Sequence, residues 1–94
     1  MIACEGGQCR VDGPLTIDNI TAVLDESERL FAAPEIVVDL AAVTDVDSSA
    51  VSLLLQWQRS AQQRGRAIRY SNLPANLKSL AVLYGVAELI PGAA

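Results

Sequence analysis

Glu35-Ile36-Val37-Val38-Asp39-Leu40-Ala41-Ala42-Val43-Thr44-Asp45-Val46-Asp47-Ser48-Ser49-Ala50-Val51-Ser52-Leu53-Leu54-Leu55 passes from a β-branched run, through acidic and hydroxylated residues, into a leucine-rich segment. Ile36-Val37-Val38 with Leu40 has the composition of a short strand buried on both faces, as in a parallel sheet. From about Ser49 to Arg64 the spacing becomes helical. Val51, Leu54, Leu55, Gln58 and Ala61 or Gln62 share one face, and Gly65 supplies the stop. The residues from Asp39 to Asp47 read as the strand end and a connecting loop. Ligands of open α/β sheets sit beyond the carboxyl ends of the strands, so this loop is where a site is expected. Asp47, Ser48 and Ser49 are also good N-cap residues, whose oxygens satisfy unpaired amides of the first helical turn.

Working outward, residues 1 to 4 and 8 to 12 read as two short strands meeting at Glu5-Gly6-Gly7-Gln8, a favoured two-residue hairpin turn. Gly13-Pro14 is expected to end the second strand. Between Thr16 and Phe31, Ile17, Ile20, Val23, Leu24, Leu30 and Phe31 recur at helical spacing, with Thr16 as the cap and Asp18 complementing the dipole. Ala67-Ile68-Arg69-Tyr70 is a further strand. Leu73-Pro74 opens a third helix whose face is Leu77, Leu80, Ala81 and Tyr84, and Gly85 closes it. Glu88 to Ile90 reads as a last extended piece. Lys78 reads as surface, and Tyr70 and Tyr84 as core. The class is α/β: a single domain over residues 1–94, with an N-terminal β-hairpin followed by alternating helices and strands. Its sheet is expected to be mixed, largely parallel, and of four to five strands.

Composition agrees with one packed domain. The chain has 94 residues, 51% of them hydrophobic and 19% charged, which is too apolar for a disordered chain. None of its apolar runs approaches the roughly 18 residues of a membrane span. No basic or long apolar segment precedes Cys4, so a cytoplasmic location is expected. In the hairpin register Cys4 and Cys9 face one another; a reducing compartment leads to the expectation of two free thiols. Two cysteines without histidine exclude the usual zinc constellations and histidine triads. Neither metal nor cofactor is therefore expected, nor is enzymatic activity. Gly6-Gly7 has no Lys-Ser/Thr after it, so it is no phosphate loop.

The net charge of −4 argues against general nucleic-acid binding. Its distribution is uneven. Residues 1–47 hold ten acids against Arg10 and Arg29, and residues 48–94 hold Glu88 against Arg59, Arg64, Arg66, Arg69 and Lys78. Arg64 complements a helix C-terminus, and the neighbouring arginines read as solvated. On the helical wheel, Ala50, Leu53, Trp57 and Arg64 form a second stripe continuous with Ser48. A tryptophan beside a leucine on a stripe outside the core has the composition of an interface anchor. The expected partner surface is accordingly Asp47, Ser48, Ser49, Ala50, Leu53 and Trp57. Asp39 is expected to stabilise the loop.

The segment Asp39-Leu40, followed by Val46-Asp47-Ser48-Ser49-Ala50, resembles the signature of the STAS domain. That pattern is a strand ending in Asp-Leu, a loop, then a hydrophobic residue, Asp, two hydroxylated residues and Gly. Ala50 stands where the family commonly has Gly. The expected order of elements also matches the family over nearly the whole chain. Within the family the likeness is to the MlaB type, carried by Val51 to Leu55, Gln63-Arg64-Gly65 and Leu80-Ala81-Val82-Leu83-Tyr84-Gly85-Val86. This resemblance implies a non-catalytic cytoplasmic subunit, peripheral to the inner membrane through its partner, the ATPase of an ABC-type phospholipid transporter. The family's other branch implies an anti-sigma factor antagonist whose partner kinase phosphorylates Ser48. A phosphate there would add about −1.5 to −2 charge beside Asp45 and Asp47.

Overall fold

The computed structural model describes residues 1–90; the last four residues of the expected domain, 91–94, lie outside the described residues. The elements are β1 (Ile2–Glu5), β2 (Gln8–Leu15), α1 (Ile20–Leu30), β3 (Glu35–Val46), α2 (Ser48–Gln63), β4 (Ala67–Ser71) and α3 (Ala75–Leu83). One four-stranded sheet holds them in the order β1-β2-β3-β4, with β1 antiparallel to β2 and the other pairs parallel. The α/β class and the hairpin start agree with the sequence. The extended piece expected at Glu88–Ile90 is instead a 3-10 turn over Ala87–Leu89. Gly85, at φ +70°, folds the chain back after α3, and Val86 N–H donates to the Ala81 carbonyl. The backbone groups that follow bond within the turn, and Ile90 is buried in the core instead of pairing in the sheet.

Each parallel crossover moves one strand further in the same direction. Right-handed crossovers therefore put α1 and α2 on the same face of the sheet. Burial follows from this. Ile2, Cys9, Val11, Ile36, Val38, Leu40, Ile68 and Tyr70 point into the core, whereas Glu5, Gln8, Arg10, Glu35 and Arg69 on the other face are exposed. The both-faces reading of Ile36-Val37-Val38 is corrected accordingly: β3 alternates, and Val37 is only half-buried.

β2 does not end at Gly13-Pro14. It runs on to Leu15, and β3 runs beyond Leu40 to Val46, so the expected loop is mostly strand. The two pair through Asp12↔Ala42, Gly13↔Val43 and Leu15↔Val46. Pro14 sits in the register shift between Gly13 and Leu15, where the ladder is interrupted and its missing N–H is not needed. α1 starts at Ile20, later than Thr16. A turn from Thr16 to Asn19 leads in, with Thr16 N–H donating to Asn19 Oδ1 at 2.9 Å and Ile20 N–H to the Thr16 carbonyl at 3.0 Å.

α2 lies between α1 and α3 and also packs on β4. Its buried residues are Ala50, Val51, Leu53, Leu54, Trp57 and Ala61. Trp57 is 3% exposed; its ring stands 5.0 Å from Phe31 and 6.3 Å from Tyr70. Its indole N–H donates to Ser27 Oγ at 2.7 Å, and Ser27 Oγ in turn donates to the Leu24 carbonyl at 2.7 Å. Tyr70 OH donates to the Leu54 carbonyl at 2.8 Å, and burial pushes its pKa well up. Tyr70 is thus core as expected, but Tyr84 is 53% exposed. Ser27→Ala would strand the buried indole N–H and is expected to cost about 1–3 kcal/mol. Trp57→Ala, which also empties the centre of the core, is expected to cost about 3–5 kcal/mol. Urea unfolding of both variants checks the order.

The hairpin turn is the two-glycine turn expected, with Gly6 at φ +56° and Gly7 at φ +88°. The free thiols expected at Cys4 and Cys9 are not found: the two are joined in a disulfide. Met1 and Asp12 exchange both backbone N–H···O bonds, so pairs alternate along the hairpin and Cys4↔Cys9 is a non-hydrogen-bonded pair. In such pairs the Cα atoms approach most closely, here to 4.0 Å, and the side chains meet. Gly7 carries a second constraint, because a Cβ there would stand 2.5 Å from the Glu35 carbonyl oxygen, while one at Gly6 would meet nothing. Gly6→Ala is expected to cost about 1–2 kcal/mol from its positive φ. Gly7→Ala should cost clearly more, and thermal unfolding of the pair measures the difference.

Candidate functional site

Beyond Asp12 and Asp39 the sheet narrows to β2 and β3, since β1 and β4 reach no further. This two-stranded ribbon carries the start of α2. At its end Asp47 is the N-cap, with Oδ1 accepting from Ser49 N–H at 2.8 Å. Its other oxygen, Oδ2, accepts from Ile17 N–H at 3.0 Å. One carboxylate therefore ties the turn before α1 to the first turn of α2. The Ile17 amide, together with Ser49, holds its pKa below the ordinary 3.8 against a smaller opposing effect of desolvation. Asp39 acts similarly on the loop after β4. Its Oδ1 accepts from Ala41 N–H at 2.9 Å and from Asn72 Nδ2 at 3.1 Å. The Ala41 amide, then Asn72 and Arg10, lower its pKa. Asn72 has φ +56°, a conformation asparagine tolerates better than most residues. The loop that Asp39 was expected to stabilise, its own segment toward Asp47, is mostly strand, and the loop it ties down is the one after β4.

Asp47, Ser48 and Ser49 thus stand together at the helix start, with Ser48 exposed and Ser49 half-buried. The rest of the expected surface does not join them. Ala50, Leu53 and Trp57 are 0%, 3% and 3% exposed, so the stripe expected to anchor a partner is core. The wheel assumed one buried face. α2 has neighbours on both flanks, so the Ala50–Leu53–Trp57–Ala61 stripe and the Val51–Leu54 stripe are both covered. The accessible continuation of Ser48 along α2 is Ser52, Gln56, Arg59 and Gln63. That stripe is uniformly polar in sequence, a signal that could have located the solvent side. Ala50 is fully buried near the N-terminus of α2, where a larger side chain would press on close-packed neighbours.

Sequence reasoning missed what borders Ser48. A groove of about 290 Å³ runs between α2 and the end of α3, lined by Ser48, Val51, Ser52, Leu55, Tyr84 and Val86. Ile17 is 71% exposed beside Asp47, and Val82 and Leu83 are exposed on α3. Ser48 is therefore an exposed hydroxyl on an apolar margin, the composition of a protein-binding patch. A narrow cleft between α1 and α2 around Ser27 and Trp57 measures about 30 Å³ and has room for little beyond a water. Among the described residues no group of three His, Cys, Asp or Glu side chains is placed to hold a metal ion. No helix among the described residues is long and apolar enough to cross a membrane. The lowered pKa of Asp47 carries a sign. Its contribution to stability is present above pH 3.8 and is lost as the pH falls through the lower folded-state value. The urea midpoint of Asp47→Ala should lie below that of the parent at pH 7, and the gap should narrow below pH 3.8.

The family model described as the MlaB STAS domain matches residues 3–91. A search of curated protein sequences finds no match. Among solved structures, the unphosphorylated anti-sigma factor antagonist SpoIIAA superimposes with a TM-score of 0.75 at 15% identity, over 100% of this chain and 87% of that one. A sulfate transporter family protein from Wolinella succinogenes gives 0.63 at 21% identity, over 88% and 69% of the two chains. Mglu gives 0.64 at 22% identity over 82% of this chain, which spans 20% of that protein. These three likenesses concern the fold. STAS domains are in general regulatory or binding domains without catalysis of their own, and by the family match this chain belongs to the MlaB-type STAS domain family.

Proposed function

We propose that the chain is a non-catalytic cytoplasmic subunit that binds and supports the ATPase of an ABC-type phospholipid transport complex. Such a complex would maintain the lipid asymmetry of the outer membrane, and the subunit would lie peripheral to the inner membrane through its partner. The MlaB-type family match over residues 3–91 supports this reading. The observation that carries a docking role is the exposed Ser48 hydroxyl at the start of α2, bordered by Leu55, Tyr84 and Val86 and held in place by Asp47. Apolar side chains around a polar centre provide burial and orientation together, as in protein interfaces. The docking surface in this proposal is Asp47, Ser48 and Ser49 with Ile17, Tyr84 and the polar stripe of α2; Ala50, Leu53 and Trp57 support it from beneath.

A second reading is favoured by the likeness to the anti-sigma factor antagonist. In it a partner kinase phosphorylates Ser48, whose hydroxyl is exposed at the positive end of α2, where a phosphate is tolerated. The two readings separate by experiment. The tagged chain is purified from its native cells and the copurifying proteins are identified. The transporter reading expects an ABC ATPase and its permease in stoichiometric amounts. It also expects Ser48→Arg to abolish their recovery while the circular dichroism spectrum stays unchanged. Normal recovery with Ser48→Arg would overturn the docking role. A serine kinase among the copurifying proteins, with phosphate mapped to Ser48 by intact mass and fragmentation, would establish the second reading in place of the first.

A further inference from the structure

The Cys4–Cys9 bond lies at the opposite end of β2 from Ser48. Cys9 and Leu15 are separated by about 20 Å of strand at the usual rise. Three observations bear on its chemistry. The hairpin is held by other ties besides the bond. Hydrogen-bonded pairs Ala3↔Arg10 and Glu5↔Gln8 flank it, the Gly6-Gly7 turn is shaped by its glycines, and Val37 N–H donates to the Gly7 carbonyl at 2.9 Å. The two sulfurs also differ in access: Cys4 is half-buried, whereas Cys9 is 4% exposed and packs in the core. Finally, both cysteines line a cavity of about 280 Å³ together with Arg29. A guanidinium near a disulfide favours the departing thiolate and attracts an anionic thiol.

From these we infer that Cys4–Cys9 is a reversible thiol–disulfide couple that exchanges with small carboxylate-bearing thiols of the glutathione class, entering at Cys4. In the first step the incoming thiolate attacks Cys4 Sγ, forming a mixed disulfide. The Cys4–Cys9 bond breaks, and its electron pair leaves on Cys9 Sγ, which takes up a proton. In the second step another thiolate attacks the sulfur of the small thiol in the mixed disulfide. Oxidised small thiol departs, and Cys4 leaves as a thiolate that is then protonated. Two small thiols are thus oxidised to one disulfide as the protein disulfide becomes two thiols. The preformed hairpin lets this happen in the folded domain.

The test equilibrates the full chain in native buffer at graded ratios of reduced to oxidised glutathione, then traps thiols with N-ethylmaleimide and reads intact mass. The expected result is one transition from a disulfide to two trapped thiols, with an unchanged circular dichroism spectrum at both ends. Arg29→Ala should slow exchange by about threefold to tenfold. Cys9→Ala should form a mixed disulfide with glutathione readily, and Cys4→Ala only slowly. A bond that yields only after denaturant is added, or whose reduction unfolds the domain, would make it a structural staple and overturn the inference. Equal reactivity of the two single-cysteine variants would overturn entry at Cys4. An unchanged rate in Arg29→Ala would remove the role of the guanidinium.

Discussion

Right-handed crossovers between strands laid down in sequence order leave α1 and α2 no choice of face. From that constraint follows most of what is distinctive here. One side of the sheet becomes the core, with Val38 and Leu40 at its centre, and the other carries Glu5, Gln8, Arg10, Glu35 and Arg69 into solvent. α2 ends up between two helices above the sheet. It is consequently the helix with the most buried residues, and Trp57 can fill the space among Phe31, Tyr70 and Ser27.

The same arrangement positions the candidate site. Parallel strands end on one edge, and β2 and β3 extend past their neighbours there as a twisted pair. The chain leaves that pair at Val46 and enters α2 at Ser48, with only Asp47 between. A junction this short leaves little conformational freedom, and the two hydrogen bonds of Asp47 remove more of it. Ser48 is thus an exposed hydroxyl on a rigid support. A binding surface with that property loses little conformational entropy on engaging a partner. The groove toward Tyr84 and Val86 exists because Gly85 turns the chain back at the end of α3 and leaves that helix's last turn beside the start of α2.

Much of this was legible in local patterns. The glycine pair of the hairpin, the Asp47 cap, the three helices and the parallel class all follow from short-range chemistry. Two of the misreadings share one cause. The helical wheel of α2 shows which residues are apolar but not how many neighbours the helix has, so Ala50, Leu53 and Trp57 read as an exposed stripe when they are core. Tyr84 was misplaced for the same reason, since an apolar spacing on a short helix does not say how far along it the cover extends. Pro14 ended β2 on local grounds, but a register shift in the ladder accommodates it.

By itself, the sequence determined the order of strands and helices as far as α3, the capped start of α2 and the STAS signature around Asp47 and Ser48. Those depend on backbone preferences and hydrogen bonds between residues close in the chain. Tertiary structure alone decided which stripe of α2 meets solvent, that Ile17 and Tyr84 border Ser48, and that Cys4 and Cys9 are bonded. Each of these depends on how elements distant in sequence, or strands in a particular hydrogen-bonding phase, come to lie against one another. Burial and cross-strand pairing are properties of that assembly, and no single segment contains them.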